Sequence, residues 1–393
     1  MKTRSFFLFG ARATGKSTLL QRSLKEEEAY FVDLLNPRVF EHLQAYPADL
    51  TAMMEPHIKA GKLIVIDEVQ RVPALLDVAH MSIQRQNAVF ALTGSSARKL
   101  KRGAANLLAG RASVYRLFPL LFSELGNDFS LNSAMRWGTL PELCLLKTDE
   151  ERSDFLQAYA DTYVQEEIIA EQIVRNLPPF RRFLQAAAQM NAKVINAASI
   201  AADISTDPSN VRNYFEIIED TLLGFKLDAF HASIRKSQRI SPKFYWFDNG
   251  VARALHKQLN ININPSTSYY GDLFEAFIIT QIRAALEYRR EQYQMSYLRT
   301  KDGAEIDLIV ERAGSITLCI EIKSATNVRA EQLTNLSKLS ADISGSRPVC
   351  LYNGKERLKF GSVDVLPWEE GLWECELAKK PTLPERMDDK RLY

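Results

Sequence analysis

The octapeptide Gly10-Ala11-Arg12-Ala13-Thr14-Gly15-Lys16-Ser17 constrains the fold more than any other stretch of this chain. It fits G-x-x-x-x-G-K-[ST], a pattern that is specific only between a buried strand and a helix. Both flanks are present: apolar Phe6 to Phe9 before it and helix-forming Thr18 to Lys25 after it. The glycines let the backbone curl so that amide N–H groups point inward at phosphate oxygens. The helix N-terminus adds partial positive charge. Gly10, Ala11, Arg12, Ala13, Thr14, Gly15, Lys16, Ser17 and Thr18 are therefore the expected ATP-binding residues. Lys16 is expected to neutralise β/γ-phosphate charge and Ser17 to ligate Mg²⁺.

A second run, Leu63-Ile64-Val65-Ile66-Asp67-Glu68, reads as a buried strand with two carboxylates at its C-terminal end, where ligands sit on an open α/β sheet. Asp67 is expected in the Mg²⁺ shell, and Glu68 is expected to polarise the attacking water. The plain alternative is a buried strand followed by a solvated acidic turn. A third strand, Val89 to Leu92, ends in Thr93-Gly94-Ser95-Ser96. Thr93 is expected to touch the water or the γ-phosphate, against the alternative of a simple turn. Arg98 and Arg111 are the candidates for completing the γ-phosphate site, from this chain or a neighbouring subunit. With Ala29 to Leu34 and Ser113 to Leu117, the apolar runs alternate with helical patterns and predict a parallel α/β sheet.

Composition narrows the class. At ~150 residues per domain, a chain of this length predicts two or three domains. Lys+Arg number 50 against 48 Asp+Glu in 393 residues, and 46% of residues are apolar. Those values exclude wholesale disorder. No apolar run approaches the ~20 residues of a membrane helix, so no membrane partner is expected. The basic, apolar start ends at Gly10 and is not read as a signal peptide. Cys144, Cys319, Cys350 and Cys375 have no close spacing, so neither zinc nor a disulfide framework is expected, and a cytoplasmic location fits. Between Val78 and Leu121 there is no Asp or Glu, yet seven Lys or Arg occur, among them Arg85, Lys101 and Arg116. Such a stretch belongs near an anion: nucleotide, nucleic acid or an acidic patch of the same protein.

The expected division is an ATPase domain over 1–126, a helical region over 127–179, a winged-helix-like unit over 180–258, an α/β domain over 268–370 and a mobile tail over 371–393. A periodic segment, Glu151 to Asn176, is broken at Leu177-Pro178-Pro179, and an Asn/Ser/Pro loop, Asn260 to Ser268, is the clearest linker. In the middle unit, Asn196 to Ile204 and Ser209 to Leu222 read as two helices, with Asp207 as N-cap and Pro208 at the first helical position. Val211, Phe215, Ile218 and Leu222 mark the buried face. Leu223 to Phe230 and Lys243 to Phe247 are expected to form a β wing tipped by Arg235, Lys236 and Arg239. Ser209, Asn210, Arg212 and Asn213 lie where base contacts are usually made, but Glu216, Glu219 and Asp220 on the same helix oppose DNA. A winged helix serving as a structural adaptor is the alternative.

Ala304 to Glu311 and Ser315 to Lys323 read as a hairpin around Ala313-Gly314. Period two puts Glu305, Asp307, Glu321 and Lys323 on one face. A turn centred on Gly314 sets Asp307 opposite Glu321 and Glu305 opposite Lys323, within ~5.5 Å at Cβ. Asp307 and Glu321, with Glu275 from the preceding helix, are candidate Mg²⁺ ligands. Lys323 is then placed to orient or deprotonate a water for phosphodiester attack. The alternative is an amphipathic hairpin with a solvated Glu305–Lys323 pair.

The order of these motifs resembles the bacterial and archaeal AAA-type P-loop ATPases that carry a C-terminal domain similar to restriction endonucleases. The shared stretches are Gly15-Lys16-Ser17, Ile66-Asp67-Glu68-Val69-Gln70, Leu92-Thr93-Gly94-Ser95-Ser96 and Gly138-Thr139-Leu140-Pro141-Glu142. Further along they are Ser241-Pro242-Lys243-Phe244-Tyr245-Trp246-Phe247-Asp248, Gly271-Asp272-Leu273-Phe274-Glu275, Glu305-Ile306-Asp307 and Glu321-Ile322-Lys323. The resemblance spans about residues 5 to 355 and implies an ATPase domain, a winged-helix middle and a PD-(D/E)xK-like C-terminal fold. That last pattern maps onto Asp307, Glu321 and Lys323, with Glu275 as the helix carboxylate. Only nine residues precede Gly10, where the family pattern has a longer segment near the adenine, so weakened base recognition is expected. Together these features predict an ATP-hydrolysing protein that couples nucleotide state to DNA binding or metal-dependent DNA cleavage. The alternative is an ATP-driven switch whose C-terminal domain binds a protein partner. A homo-oligomer is compatible with either.

Overall fold

The computed structural model describes residues 4–96, 110–163, 177–230 and 240–380. It divides into two compact units. The first comprises Met1–Pro119, Leu140–Ala187 and Ala197–Phe225; the second comprises Leu120–Thr139, Ala188–Asn196 and Lys226–Tyr393.

The first unit is built on β1 (Ser5–Phe9), β2 (Ala29–Asp33), β3 (Leu63–Asp67), β4 (Phe90–Gly94) and β5 (Ala112–Arg116). They pair in parallel in the order β2-β3-β4-β1-β5. These are the five apolar runs of the sequence, and most are continuous because both sheet faces are covered. Phe7, Phe9, Ile64, Ile66, Phe90 and Leu92 pack on one face with Leu75, Leu76 and Met54 from the helices Leu75–Gln86 and Asp49–Lys59. Phe6, Leu8, Val65 and Ala91 pack on the other with Leu20, from the helix Lys16–Ser23, and with Leu24. Because β4 runs between β1 and β3, its end at Thr93–Gly94 lies between the loop after β1 and the carboxylates after β3.

The helices Leu177–Gln189, Ala197–Ile204 and Pro208–Asp220 follow. Pro178 and Pro179 lie at the described start of the helix Leu177–Gln189, where a missing N–H is harmless; the expected break just before them falls at residues outside the described ones. The remainder of the 151–176 segment beyond Tyr163 lies outside the described residues. The helix pair over 197–220 matches its expectation. Phe183 packs edge-on against Phe215 at 4.9 Å between centroids, and Phe180 against Tyr214 at 5.1 Å. Asp207 holds the N-cap position without a side-chain capping bond.

The second unit carries a mixed sheet in the order β13-β14-β12-β11-β10-β9-β7-β8-β6. Its strands are β6 (Lys193–Val194), β7 (Gly224–Ala229), β8 (Lys243–Trp246), β9 (Tyr293–Arg299), β10 (Glu305–Arg312), β11 (Thr317–Lys323), β12 (Ser346–Tyr352), β13 (Leu358–Phe360) and β14 (Val363–Pro367). The expected wing strands β7 and β8 do lie side by side, but β7 also pairs in parallel with β9 at Asp228↔Ser296 and Ala229↔Tyr297. The wing is therefore absorbed into the C-terminal sheet, because a two-stranded ribbon gains stability by pairing its open edge. Its tip, with Arg235, Lys236 and Arg239, lies outside the described residues. The hairpin register is the expected one, with Leu308↔Ile320, Ile309↔Cys319 and Val310↔Leu318 symmetric about Gly314. The helix Ser268–Arg289, N-capped by Thr267, packs on β8 and β11.

Two of the quoted motifs meet at a structural joint of this unit. Asp248 accepts N–H bonds from Thr139 at 2.8 Å and Val251 at 3.1 Å. A Cβ on Gly250 would stand 1.9 Å from the Trp137 carbonyl oxygen, so the backbones touch there and only glycine fits.

Candidate functional site

The loop after β1 is curled by two left-handed residues, Ala13 at φ 63° and Gly15 at φ 89°. Gly10 is packed too closely for a side chain, since a Cβ would lie 2.5 Å from the Leu117 carbonyl oxygen. Thr14 Oγ1 donates to the Ala11 carbonyl at 2.8 Å, and Tyr159, from a later segment of the same unit, donates its O–H to the Arg12 carbonyl at 3.0 Å. Gly15 caps the helix Lys16–Ser23 without a side-chain bond, as expected where helix amides are to be offered to a ligand. Lys16 is buried; its Nζ donates to the carbonyls of Gly10 (2.9 Å) and Ala11 (3.2 Å) and lies 3.9 Å from Glu68 Oε1. Thr18 is exposed in the first turn of that helix.

The fold brings this loop to the second motif. Ser17 Oγ donates to Asp67 Oδ2 at 2.6 Å, and Thr93 Oγ1 donates to the other oxygen, Oδ1. Two hard oxygens, Ser17 Oγ and Asp67 Oδ2, thus stand side by side. That donor set suits Mg²⁺, whose remaining positions are typically filled by phosphate and water. Thr93 is fully buried and takes the Glu68 N–H at 3.0 Å as well as bonding Asp67, so it positions the two acids.

Glu68 adopts a left-handed backbone, φ 57°, and its carboxylate is held by Gln70 Nε2 and by Ser95 Oγ at 3.2 Å. Gln70 also donates to Ser95 Oγ at 2.9 Å. Gln70, Ser95 and Tyr159 were not singled out as site residues from sequence. Gln70 and Ser95 stand inside quoted motifs, so a signal existed for those two; Tyr159 had none.

Arg111 is a correction. It precedes β5, whose first residue Ala112 pairs with Ser5 while Arg116 pairs with Phe9. It therefore lies at the opposite end of the sheet from Gly10, about 20 Å away along the strand at ~3.3 Å per residue, and stands 3.3 Å from the His80 ring. It cannot complete the phosphate site of its own chain. Arg98 lies outside the described residues.

The carboxylates of the C-terminal hairpin are brought together, but with different partners from those expected. Lys243 Nζ, on β8, stands 2.9 Å from Glu275 Oε1, is ion-paired to Glu305 and lies 3.8 Å from Asp307 Oδ1. Glu305 thus pairs with Lys243 and, at 3.7 Å, with Arg299, not with Lys323. Lys323 pairs with Glu321 of its own strand at 2.5 Å. Asp307 Oδ2 accepts the Ile322 N–H at 2.8 Å, and Glu275 accepts from Tyr245 O–H at 2.7 Å.

Among the described residues, no group of three or more His, Cys, Asp or Glu is placed to hold a metal ion. The expected set of Glu275, Asp307 and Glu321 is corrected accordingly: Lys243, which no hairpin spacing reveals, puts an ammonium among these acids. Burial, and then the Asp307 charge, push Glu275 up to about 7 and Glu321 up to about 8. For Lys323, burial opposes the charge, but Glu321 and Asp307 outweigh it and raise the pKa. It stays an ammonium at neutral pH and is no base for water.

On the helix Pro208–Asp220, Ser209, Arg212, Asn213 and Glu216 are exposed. Asn210 is turned inward and donates to Thr206 Oγ1 at 3.1 Å.

Comparison with known proteins finds similarity over most of the chain. Residues 2–126 match the family described as an AAA domain, 128–266 a domain of unknown function (DUF8612) and 270–370 another (DUF4143). The first unit's sheet and phosphate loop thus lie within a stretch similar to AAA domains. An uncharacterized protein of Mycobacterium tuberculosis is 26% identical over 366 residues, covering 91% of this chain and 78% of its own. One from Haemophilus influenzae is 21% identical, covering 78% and 79%. Among solved structures, the Aeropyrum pernix ORC2 protein in ADPNP–ADP complexes is 12% identical and covers 66% of this chain and 87% of its own, with a TM-score of 0.38, too low to carry an argument. No described helix is long and apolar enough to cross a membrane.

Proposed function

We propose that this protein binds Mg-ATP at the loop Gly10–Thr18 and hydrolyses it, using the nucleotide state to control the rest of the chain. The observation that carries this reading is the junction of Ser17 and Asp67 at 2.6 Å, with Lys16 and Glu68 beside it. In this reading the loop amides and Lys16 bind the β- and γ-phosphates. Ser17 and Asp67 hold Mg²⁺, which supplies charge neutralisation on the phosphate oxygens. Glu68 orients a water and accepts its proton, released from Gln70 and Ser95 as it does so. The test is steady-state ATPase activity. Lys16→Ala should abolish turnover, and Glu68→Gln should keep nucleotide binding while lowering turnover by roughly 10²–10⁴-fold. Unchanged turnover in Lys16→Ala sinks the assignment.

For the output we propose DNA binding through the exposed face Ser209, Arg212 and Asn213, near the start of its helix. Retention on DNA should fall steeply with salt, because phosphate contacts release counterions. A second reading is favoured by the acids Glu216, Glu219 and Asp220 on that helix and by the lysine-filled carboxylate cluster. It is an ATP-driven switch that engages a protein partner or a second copy of this chain. ATP-dependent change in assembly size, with no DNA retention at low salt, selects it.

A further inference from the structure

We propose that the ammonium of Lys243 is the resident cation of the carboxylate cluster formed by Glu275, Glu305 and Asp307, and that it excludes a divalent metal from that place. The inference goes beyond the ATP reading and does not depend on it.

Lys243 is almost wholly buried, with its side chain 4% exposed. An isolated buried ammonium is costly and persists only when paired. Here the pairing is threefold, with Glu275 at 2.9 Å, Glu305, and Asp307 at 3.8 Å. The ring of Tyr297 adds an aromatic face 5.7 Å from Nζ. Burial works against the charge, but the three carboxylates together outweigh it and raise the Lys243 pKa, so the charge is held at any physiological pH.

The lysine is anchored as well as paired. Its backbone lies in register with Val194 of β6, and the adjoining Pro242 carbonyl takes the Ile195 N–H at 2.9 Å. Tyr245, two residues on, donates to the same Glu275 oxygen that faces Lys243, fixing that carboxylate toward the ammonium.

A metal ion here would need the oxygens of Glu275 and Asp307 that face Lys243. It would bring two positive charges to a distance at which the fixed ammonium repels it. Asp307 has its other oxygen engaged by the Ile322 N–H, and Glu321 by contact with Lys323 faces a second ammonium. With Lys243, Lys323 and Arg299 against four carboxylates, little net charge is left to attract a divalent ion.

The test is titration of the full chain with Mn²⁺ alone, without nucleotide, read by electron paramagnetic resonance of free Mn²⁺. Any binding at Ser17 and Asp67 is common to all variants, so differences report on the cluster. The unsubstituted chain and Asp307→Asn are expected to bind the same number of ions. Lys243→Met, or Lys243→Gln, which keeps a donor for Glu275, should gain one Mn²⁺ per chain. Adding Asp307→Asn to either should remove the gain. A site in the unsubstituted chain that Asp307→Asn abolishes overturns the proposal, and that comparison decides even where the Lys243 variants do not fold. A folded Lys243 variant that gains no ion overturns it equally.

Discussion

Ser17 donates its hydroxyl proton to Asp67 across 2.6 Å, tying the first turn after the phosphate loop to the last residue of a strand 50 positions along the chain. Thr93 holds the opposite oxygen of the same carboxylate. Asp67 is therefore oriented from both sides by hydroxyls, one from the loop and one from the strand between.

That arrangement makes Thr93 testable apart from the phosphate contacts. Thr93→Val keeps the shape but leaves the Glu68 amide and one Asp67 oxygen without their partner. The expected cost is about 1–3 kcal/mol, read as a lower urea midpoint with an unchanged slope. ATP turnover should fall through kcat more than KM, because the acids lose their alignment. Thr93→Ser should recover most of both. Wild-type values for the valine variant would show that the bridge contributes nothing.

Gly10 and Gly61 offer a contrast. A Cβ on Gly10 would sit 2.5 Å from a backbone oxygen, that of Leu117, whereas one on Gly61, at φ 70°, meets nothing within 4 Å. Gly10→Ala must displace the strand edge or the loop, and we expect at least tenfold weaker ATP binding with about 1–3 kcal/mol of destabilisation. Gly61→Ala should cost only the left-handed penalty, about 1–2 kcal/mol, with nucleotide binding unaltered. A fluorescent nucleotide titration beside a thermal melt separates the two.

Asp248 predicts a pH effect on stability. Burial pushes its carboxyl from 3.8 up to about 6, against three backbone N–H donors that pull it down. Between those two values the folded protein holds a proton that the unfolded chain has lost. Stability from this group is thus complete below about pH 4 and declines as pH rises through 6. At about 1.4 kcal/mol per pH unit the ceiling is about 3 kcal/mol. Asp248→Asn lacks the titration, so its stability deficit against the unsubstituted protein should shrink between pH 4 and 6.5. A deficit constant with pH contradicts the assignment.

Much of the first unit was legible in the sequence. Its strands are short apolar runs punctuated by Gly10 and by Asp67-Glu68, and a parallel sheet buried on both faces leaves little latitude in where such runs lie. The hairpin register about Gly314 was legible for a similar reason: side-chain alternation along a strand forbids a one-residue slip. Arg111 shows the limit. Its charge was visible, but the end of the sheet it occupies depends on strand direction and register.

The chain's local order of residues determined the phosphate loop, the acid pair and the alternating face of the hairpin, because each depends on neighbours a few positions apart. Only the tertiary structure decided that Thr93 and Gln70 position the acids, that the wing strands join the C-terminal sheet, and that Lys243 stands among Glu275, Glu305 and Asp307. Apart from Gln70 and its near neighbour Glu68, these side chains meet across gaps of 25 to 64 residues. What a buried charge does is set by whichever opposite charges the fold delivers to it.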